Sequence, residues 1–198
     1  MPSGRTHDRI TIWVLPVLVG ATFWQTRNGN ITLLIATGFM LGGLMFGPDL
    51  DIYSVQYQRW GWFKWIWLPY QKSLRHRSFL SHGPVIGTAL RVLYFTIFIS
   101  VITVIVLLIG ERSGNLTLNW YSLVDSIANT VVIHKAEFIA LFAGLEFGAM
   151  SHYLSDWTGS TYKRIKKQGI RQYLKGLANN GKIKKRKRVV RKRKVKSK

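Results

Sequence analysis

The sequence predicts an all-α integral membrane protein, a helical bundle of about four spans with an aromatic interfacial loop and a disordered basic tail. The main observation is that uncharged, apolar runs of 17, 21 and 18 residues occur at 10–26, 28–48 and 92–109. Runs of this length suit helices that cross a bilayer and are too long for buried strands. The fold class therefore follows from segment length and the absence of charge.

The second observation is the distribution of charge along the chain. The net charge is +21, yet 18 of the 29 Lys and Arg lie from Lys163 onward, and the remainder holds 11 basic and eight acidic residues. A hydrophobic body is thus followed by a cationic segment that is too poor in apolar residues to pack a core. We expect a membrane-embedded domain at 1–160 and a basic tail at 161–198.

The four predicted spans differ in how clearly they are marked. The run at 92–109 is the best defined, whereas 10–26 contains Pro16, which predicts a kink. The run at 28–48 is rich in glycine. The fourth span, at about 131–157, is interrupted by Lys135, Glu137 and Glu146.

Charge counting orients these spans. With four spans, the basic residues of the N-terminus, of the 49–82 loop and of the tail share one side, and the other side receives little beyond Arg27 and Arg112. The positive-inside rule places the first side in the cytoplasm. We therefore predict a bacterial cytoplasmic (inner) membrane, with both termini in the cytoplasm.

Residues able to bind a metal gather on that same predicted side. The chain has no cysteine, so thiolate sites are excluded, but four of its five histidines and three of its eight acids lie at the cytoplasmic ends of spans. Histidine and aspartate are ligands for zinc, manganese and iron. We predict one divalent metal site, with zinc as the first choice and manganese or iron as alternatives. Its expected ligands are His7, Asp49, Asp51, His76, His82, His152 and Asp156.

Two local motifs support this site. His152 and Asp156 are four apart, so a helix would present both on one face, below a row of small residues at Ala140, Gly144 and Gly148 that would let a neighbouring helix approach. The alternative to metal binding is that His152 and Asp156 form a solvated pair at a helix end.

The carboxylates of Asp49 and Asp51 follow Gly47-Pro48, where proline ends the preceding helix. In this turn, the two carboxylates could bind the same metal ion or bridge two ions. Their alternative is a pair of acids at a helix end, with Arg75 or Arg77 as competing partners.

Further residues complete the predicted chemistry. His76 and His82 are six apart and need a turn between them to share an ion. Arg77 offers a planar fork for anionic oxygens, and Asp49 or Asp51 could serve as general base. The predicted catalytic residues are therefore Asp49, Asp51 and Arg77. Glu146 is expected near the site or paired on another helix, and His134 is left outside it.

Two segments suggest partners other than a small substrate. The 53–70 loop contains Trp60, Trp62, Trp65 and Trp67, which suits either an interfacial aromatic belt or a platform for a lipid substrate. The basic tail suits anionic lipid headgroups or nucleic acid. Membrane lipids are expected partners in either case.

Four motifs also carry a family resemblance over most of 1–160. The chain resembles a largely cyanobacterial, uncharacterised family described only as metal-binding membrane proteins. It is more distantly similar to the membrane-bound metal-dependent hydrolases and the zinc-dependent phospholipase C group. That similarity implies a helical fold and a hydrolytic metal centre with the seven residues above as ligands. The motifs are Pro2-Ser-Gly-Arg-Thr-His7-Asp8, Gly47-Pro48-Asp49-Leu50-Asp51, Arg75-His76-Arg77 and Ser81-His82-Gly83-Pro84.

Three functions fit these observations. The first is a membrane-bound hydrolase that uses a metal to cleave phosphoesters or lipids at the cytoplasmic face. The second is a metal-stabilised membrane scaffold without catalysis, whose tail binds anionic lipid or nucleic acid. The third is a membrane protein whose polar cluster is a hydrogen-bonded network without metal.

Overall fold

The computed structural model describes residues 4–74, 78–114, 117 and 119–170. Within these ranges the chain forms helices and no strand, which confirms the all-α class. Two short 3-10 helices, Pro48–Asp51 and Gly61–Trp67, lie between longer elements. The α-helices are α1 Gly4–Thr26, α2 Gly29–Leu44, α3 Val55–Gln58, α4 Leu68–Ser73, α5 Phe79–His82, α6 Ile86–Arg112, α7 Trp120–Ile133 and α8 Lys135–Gln168.

The chain divides into two compact units, and the division falls within α8. Residues 2–155 form the first unit, and the chain from Asp156 onward belongs to the second. Every contact described below lies within the first unit.

Short polar side chains begin several of these helices. The Asn28 carboxamide accepts from the Ile31 amide at 3.2 Å and starts α2. Ser54 does the same for α3 and Ser78 for α5, each at 3.2 Å. Such caps satisfy amides that have no partner inside the helix, so these starts are encoded locally.

Glycines bring α2 and α8 into backbone contact. A Cβ added at Gly38 or Gly42 would lie less than 3.0 Å from the backbone of α8, at Leu141 or Leu145. Gly144 and Gly148 meet the α2 backbone equally closely. The row of small residues on α8 therefore packs a neighbouring helix, as its spacing predicted.

The aromatic loop divides between a core and an exposed surface. Part of the loop packs onto α6, where Tyr94, Phe95 and Phe98 contact the main buried cluster. That cluster contains Phe46, Leu50, Tyr57, Ile66, Trp67 and Tyr70. By contrast, Trp62 is 95% exposed, and Phe63 and Trp65 also face outward. The belt interpretation thus applies to only part of this loop.

The predicted spans differ in how well the described helices match them. Among the described residues, α6 alone is long and apolar enough to cross a bilayer, and α2 is a shorter apolar helix of 16 residues. The second run was predicted to extend to 48, but α2 ends at Leu44. The amides of Met45 and Phe46 both donate to the Leu41 carbonyl, which closes the helix before Gly47.

The predicted tail is helical at its beginning. Helix α8 continues through residue 160 to Gln168, so the first eight residues of the predicted tail are helical, and the disorder predicted after Gly181 falls outside the described residues. Lysine and arginine are good helix formers, and Lys166 and Lys167 in the last turn suit the helix dipole. Residues 171–198, with the predicted lipid or nucleic acid partners, lie outside the described residues.

Candidate metal centre

Asp49 lies at the centre of the polar cluster. Asp49 is the second residue of the 3-10 helix Pro48–Asp51, and its two carboxylate oxygens face two different histidines. One oxygen lies 3.6 Å from Nε2 of His82, and the other lies 3.2 Å from Nε2 of His152. Asp49 therefore connects α5, which ends at His82, to helix α8.

Asp51 completes a compact group on the His82 side. Its Oδ2 atom lies 3.6 Å from Nδ1 of His82, and potential ligand atoms of Asp49, Asp51 and His82 all fall within 4.8 Å of one another. Carboxylate and imidazole donors at this spacing suit a zinc, manganese or iron ion. The donor set therefore fits a divalent metal.

Two histidines from distant segments meet on the other side of Asp49. The imidazole rings of His7, in the first turn of α1, and His152 are stacked, with centroids 3.9 Å apart and planes 17° from parallel. Both side chains are buried. Gly43 makes this approach possible, because any Cβ there would strike Thr11, one turn after His7.

The surroundings keep Asp49 ionised. Its burial opposes ionisation, but the contacts with His152 and His82 outweigh that effect and hold the pKa of Asp49 well below its usual range. A carboxylate that is already deprotonated can bind a cation without first releasing a proton. Asp49 is therefore prepared to act as a ligand.

The structure thus gathers five of the seven predicted ligands, namely His7, Asp49, Asp51, His82 and His152. Asp156 lies one turn beyond His152 on α8 and starts the second unit. His76 and Arg77 lie outside the described residues. Their roles stay predictions.

Two glutamines hold the backbone that carries the aspartates. Gln56 donates to the Gly43 carbonyl at 3.0 Å and accepts from the Asp49 amide at 3.2 Å. Gln71 donates to the carbonyls of Leu50 and Ile52 on either side of Asp51, at 2.9 and 3.1 Å. Hydrogen bonds of this kind orient metal ligands, although the residues that make them do not bind the metal.

One buried polar side chain from each of two neighbouring helices, Glu146 on α8 and Arg91 on α6, holds the segment around His82. The Glu146 carboxylate accepts from the Val85 amide at 3.0 Å, as expected for an acid paired on another element. Val85 has φ of 63° and ψ of −52°, and the Ile86 amide closes a γ-turn onto the Pro84 carbonyl at 2.7 Å. A β-branched residue rarely adopts this geometry, so Glu146 stabilises a strained turn beside a candidate ligand.

Arg91 fixes the same segment from α6. Its fully buried guanidinium donates to the Ser81 carbonyl and to the Thr88 hydroxyl, each at 2.9 Å. Ser81 Oγ in turn lies 2.9 Å from Nδ1 of His82. Arg91 therefore holds the backbone of Ser81, and the Ser81 hydroxyl contacts the His82 ring.

An ion pair secures the other end of the site. The Arg59 guanidinium meets both oxygens of Asp8, one of them at 2.9 Å, and also donates to the Leu44 carbonyl at 2.8 Å. This pair ties the residue after His7 to the end of α2. The contact supports the placement of His7 next to His152.

These supporting residues were not predicted from the sequence, except for Glu146. An isolated glutamine or arginine in an aromatic loop has no distinctive spacing. The position of Asp8 beside His7 was the one available signal, because a charge next to a candidate ligand often orients it.

Replacing Gln56 by leucine should weaken metal binding about tenfold, the lower end of the effect expected when a residue that orients a ligand is lost. The Asp49 amide and the Gly43 carbonyl would both lose a partner. Isothermal titration of the metal-stripped protein measures this change. Gln58→Leu is the matched control, since Gln58 is exposed on the same helix. Equal affinities in the two variants would contradict a positioning role for Gln56.

Comparison with known proteins adds an independent finding. The sequence profile of a family described as "Uncharacterized metal-binding protein (DUF2227)" matches residues 2–166. An "Uncharacterized protein" of Aquifex aeolicus (strain VF5) is 38% identical over 58 residues, which make up 29% of this chain and 40% of that protein. The match thus spans less than half of that relative. No solved structure matches the chain. The resemblances to cyanobacterial proteins and to hydrolases stay predictions.

Proposed function

Because this chain belongs to the DUF2227 family of metal-binding proteins, we propose that it is a metal-dependent hydrolase of phosphoesters that acts at a membrane surface. The observation that carries the proposal is that one carboxylate oxygen of Asp49 faces His82 and the other faces His152. One oxygen would serve an ion held with Asp51 and His82. The other would serve an ion held with His7 and His152.

A bridging carboxylate favours two ions over one. Two-metal sites hold both the attacking and the leaving oxygen during displacement at phosphorus. Each half of this cluster offers two protein side chains besides Asp49, which leaves coordination positions for water or substrate. Asp156 stays a predicted additional ligand, and zinc stays the first choice over manganese and iron.

Solvent access distinguishes the two predicted catalytic carboxylates. The side chain of Asp49 is 25% exposed and that of His82 is 18% exposed, whereas that of Asp51 is fully enclosed. We therefore place the attacking water at the exposed edge of the cluster, which Asp49 and His82 form. Asp51 would act as a ligand and orient His82, rather than serve as general base.

The proposed reaction is hydrolysis of an ester bond at phosphorus. A bound divalent cation supplies a water molecule of lowered pKa and polarises the phosphoryl oxygen. The water would lose one proton to solvent as its oxygen bonds to phosphorus, the phosphorus–oxygen ester bond would break, and the released alkoxide would take up a proton from solvent to leave as an alcohol. Arg77 is the predicted contact for the phosphoryl oxygens.

Exposed apolar surface supports the membrane part of the proposal. Helix α6 exposes apolar side chains along its length, and α7 exposes Val124, Ile127 and Val132. Such continuous apolar surface is unusual in water-soluble monomers. We retain four spans, cytoplasmic termini and a bacterial inner membrane as parts of this proposal.

Elemental analysis of the purified full chain tests the centre. We expect about two equivalents of metal per chain, reduced to about one in Asp51→Ala and in His152→Ala, because each variant would lose one half of the cluster. His134→Ala is the control, since that exposed histidine contacts Glu137 instead.

The same preparations are then assayed with a short phosphoester. Metal-dependent release of phosphate that is lost in both site variants would support the hydrolase. Metal-free but folded protein, purified without chelator, would contradict the proposal and favour a polar network without metal. A full metal content without hydrolysis of any phosphoester would favour a metal-stabilised scaffold.

A further inference from the structure

An apolar cavity of about 290 Å³ lies among α2, the aromatic loop, α6 and α8. The single polar side chain among its lining residues is that of Thr96, and the indole N–H of Trp60 is satisfied by the Met45 carbonyl at 3.1 Å. The lining is therefore almost entirely apolar, and its one indole N–H is already paired. Its lining includes Met45, Phe46, Trp60, Phe95, Leu141 and Leu145.

Two elements lead from this cavity to the candidate metal centre. Met45 and Phe46 line the cavity and precede Asp49 by only a few residues. On α8, Leu145 lies seven residues before His152, which corresponds to about 10 Å along a helix. The cavity and the candidate ligand His152 are therefore separated by about two turns of α8.

The size of the cavity decides what it can hold. A helix with side chains is about 10–12 Å across, which is too wide for this space. The volume of 290 Å³ is about twice the roughly 150 Å³ of an apolar cavity that accommodates benzene. It therefore suits a flexible hydrocarbon of about ten carbon atoms.

The neighbouring surface indicates where such a chain would come from. Trp60 lines the cavity, and the exposed Trp62 and Phe63 follow directly in the chain. Lys64 lies between Phe63 and the exposed Trp65. Tryptophan and lysine together favour the headgroup layer of a membrane. An amphiphile would thus have its headgroup near the level of this rim.

We infer that the cavity binds one hydrocarbon chain of the substrate, so that the substrate is an amphiphilic phosphoester rather than a small soluble one. This inference rests on the proposed function for the phosphoester end, while the chain-binding site stands on the cavity alone. The chain would lie between α2 and α8, and the phosphoester would face Asp49.

A pair of double variants tests the inference. Val92→Phe with Thr96→Trp places bulk in the cavity, because both residues line it. Leu93→Phe with Ile97→Trp adds the same residue types one position further along α6, where both side chains are exposed. The full chain is purified in amphipol, and the probes are ethyl, hexyl and dodecyl phosphate.

Two readouts separate chain binding from catalysis. Native mass spectrometry of the metal-stripped protein counts bound dodecyl phosphate. We expect one molecule per chain in the wild type and the control, and at least about tenfold weaker binding in the filled variant. In metal-loaded protein, kcat/KM should rise with chain length, by up to about fourfold per methylene. The filled variant should lose that rise and keep its activity on ethyl phosphate.

Each outcome has a distinct meaning. If the filled variant keeps both dodecyl binding and the rise with chain length, the cavity is not the chain site, although hydrolysis would still support the proposed function. If binding depends on the cavity but no phosphate ester is cleaved, the chain site is supported and the proposed function is wrong. A dimer that forms through the cavity and dissociates in the filled variant would overturn the inference.

Discussion

The Asp49→Asn variant is expected to lose nearly all bound metal, with affinity reduced by more than about 100-fold. Loss of residues that only orient a ligand costs about 10–100-fold, and Asp49 is a candidate ligand shared by both halves of the cluster. Asparagine keeps the size of the side chain and removes the charge that the two histidines face. Elemental analysis and competition with a chromogenic chelator measure the change.

Asp125→Asn is the matched control, because Asp125 lies on the exposed face of α7 and its side chain meets Asn129. Full metal content is expected there. If Asp49→Asn instead keeps as much metal as this control while Asp51→Ala loses it, the bridging arrangement is wrong. A single centre on the other residues would then replace it.

The second large effect concerns the contact between α2 and α8. Gly144→Ala should lower the free energy of unfolding by about 3 kcal/mol or more, at the upper end of the effects of overpacking. The added methyl group would lie less than 3.0 Å from the Ile35 carbonyl oxygen. Because that oxygen belongs to the α2 backbone, no flexible side chain can move aside to make room. Thermal unfolding in detergent, followed by circular dichroism, measures the loss.

Gly20→Ala provides a control of the same chemistry. Gly20 lies within α1 with nothing within 4 Å of an added Cβ, so alanine there should be neutral or stabilising by up to about 1 kcal/mol. Metal affinity should fall in Gly144→Ala as well, because α2 leads to Asp49 and α8 carries His152. Equal stability of the two variants would show that the helices can separate without cost.

The sequence was most informative where the relevant pattern is local. The helices at α1, α2, α6 and α8 follow from apolar runs. The identity of five clustered donors follows from residue type and from their place at the ends of those runs. Helix α7 was not predicted, because its 14 residues mix apolar and polar side chains and none of them is buried. The distinction between core and exposed tryptophans was not predicted either, since Trp62 and Trp67 lie in the same aromatic run.

What the sequence by itself determined is the helical class, the chemistry of the candidate ligands and the small-residue row that brings α8 against a neighbour. These properties depend on side-chain type and on spacing within one element, and both can be read along the chain. Only the tertiary structure decided that Asp49 lies between His82 and His152, that Gln56 and Arg91 hold the ligand segments, and that an apolar cavity forms among α2, the aromatic loop, α6 and α8. Each of these depends on contacts between residues far apart in sequence, whose geometry is set by how the helices pack.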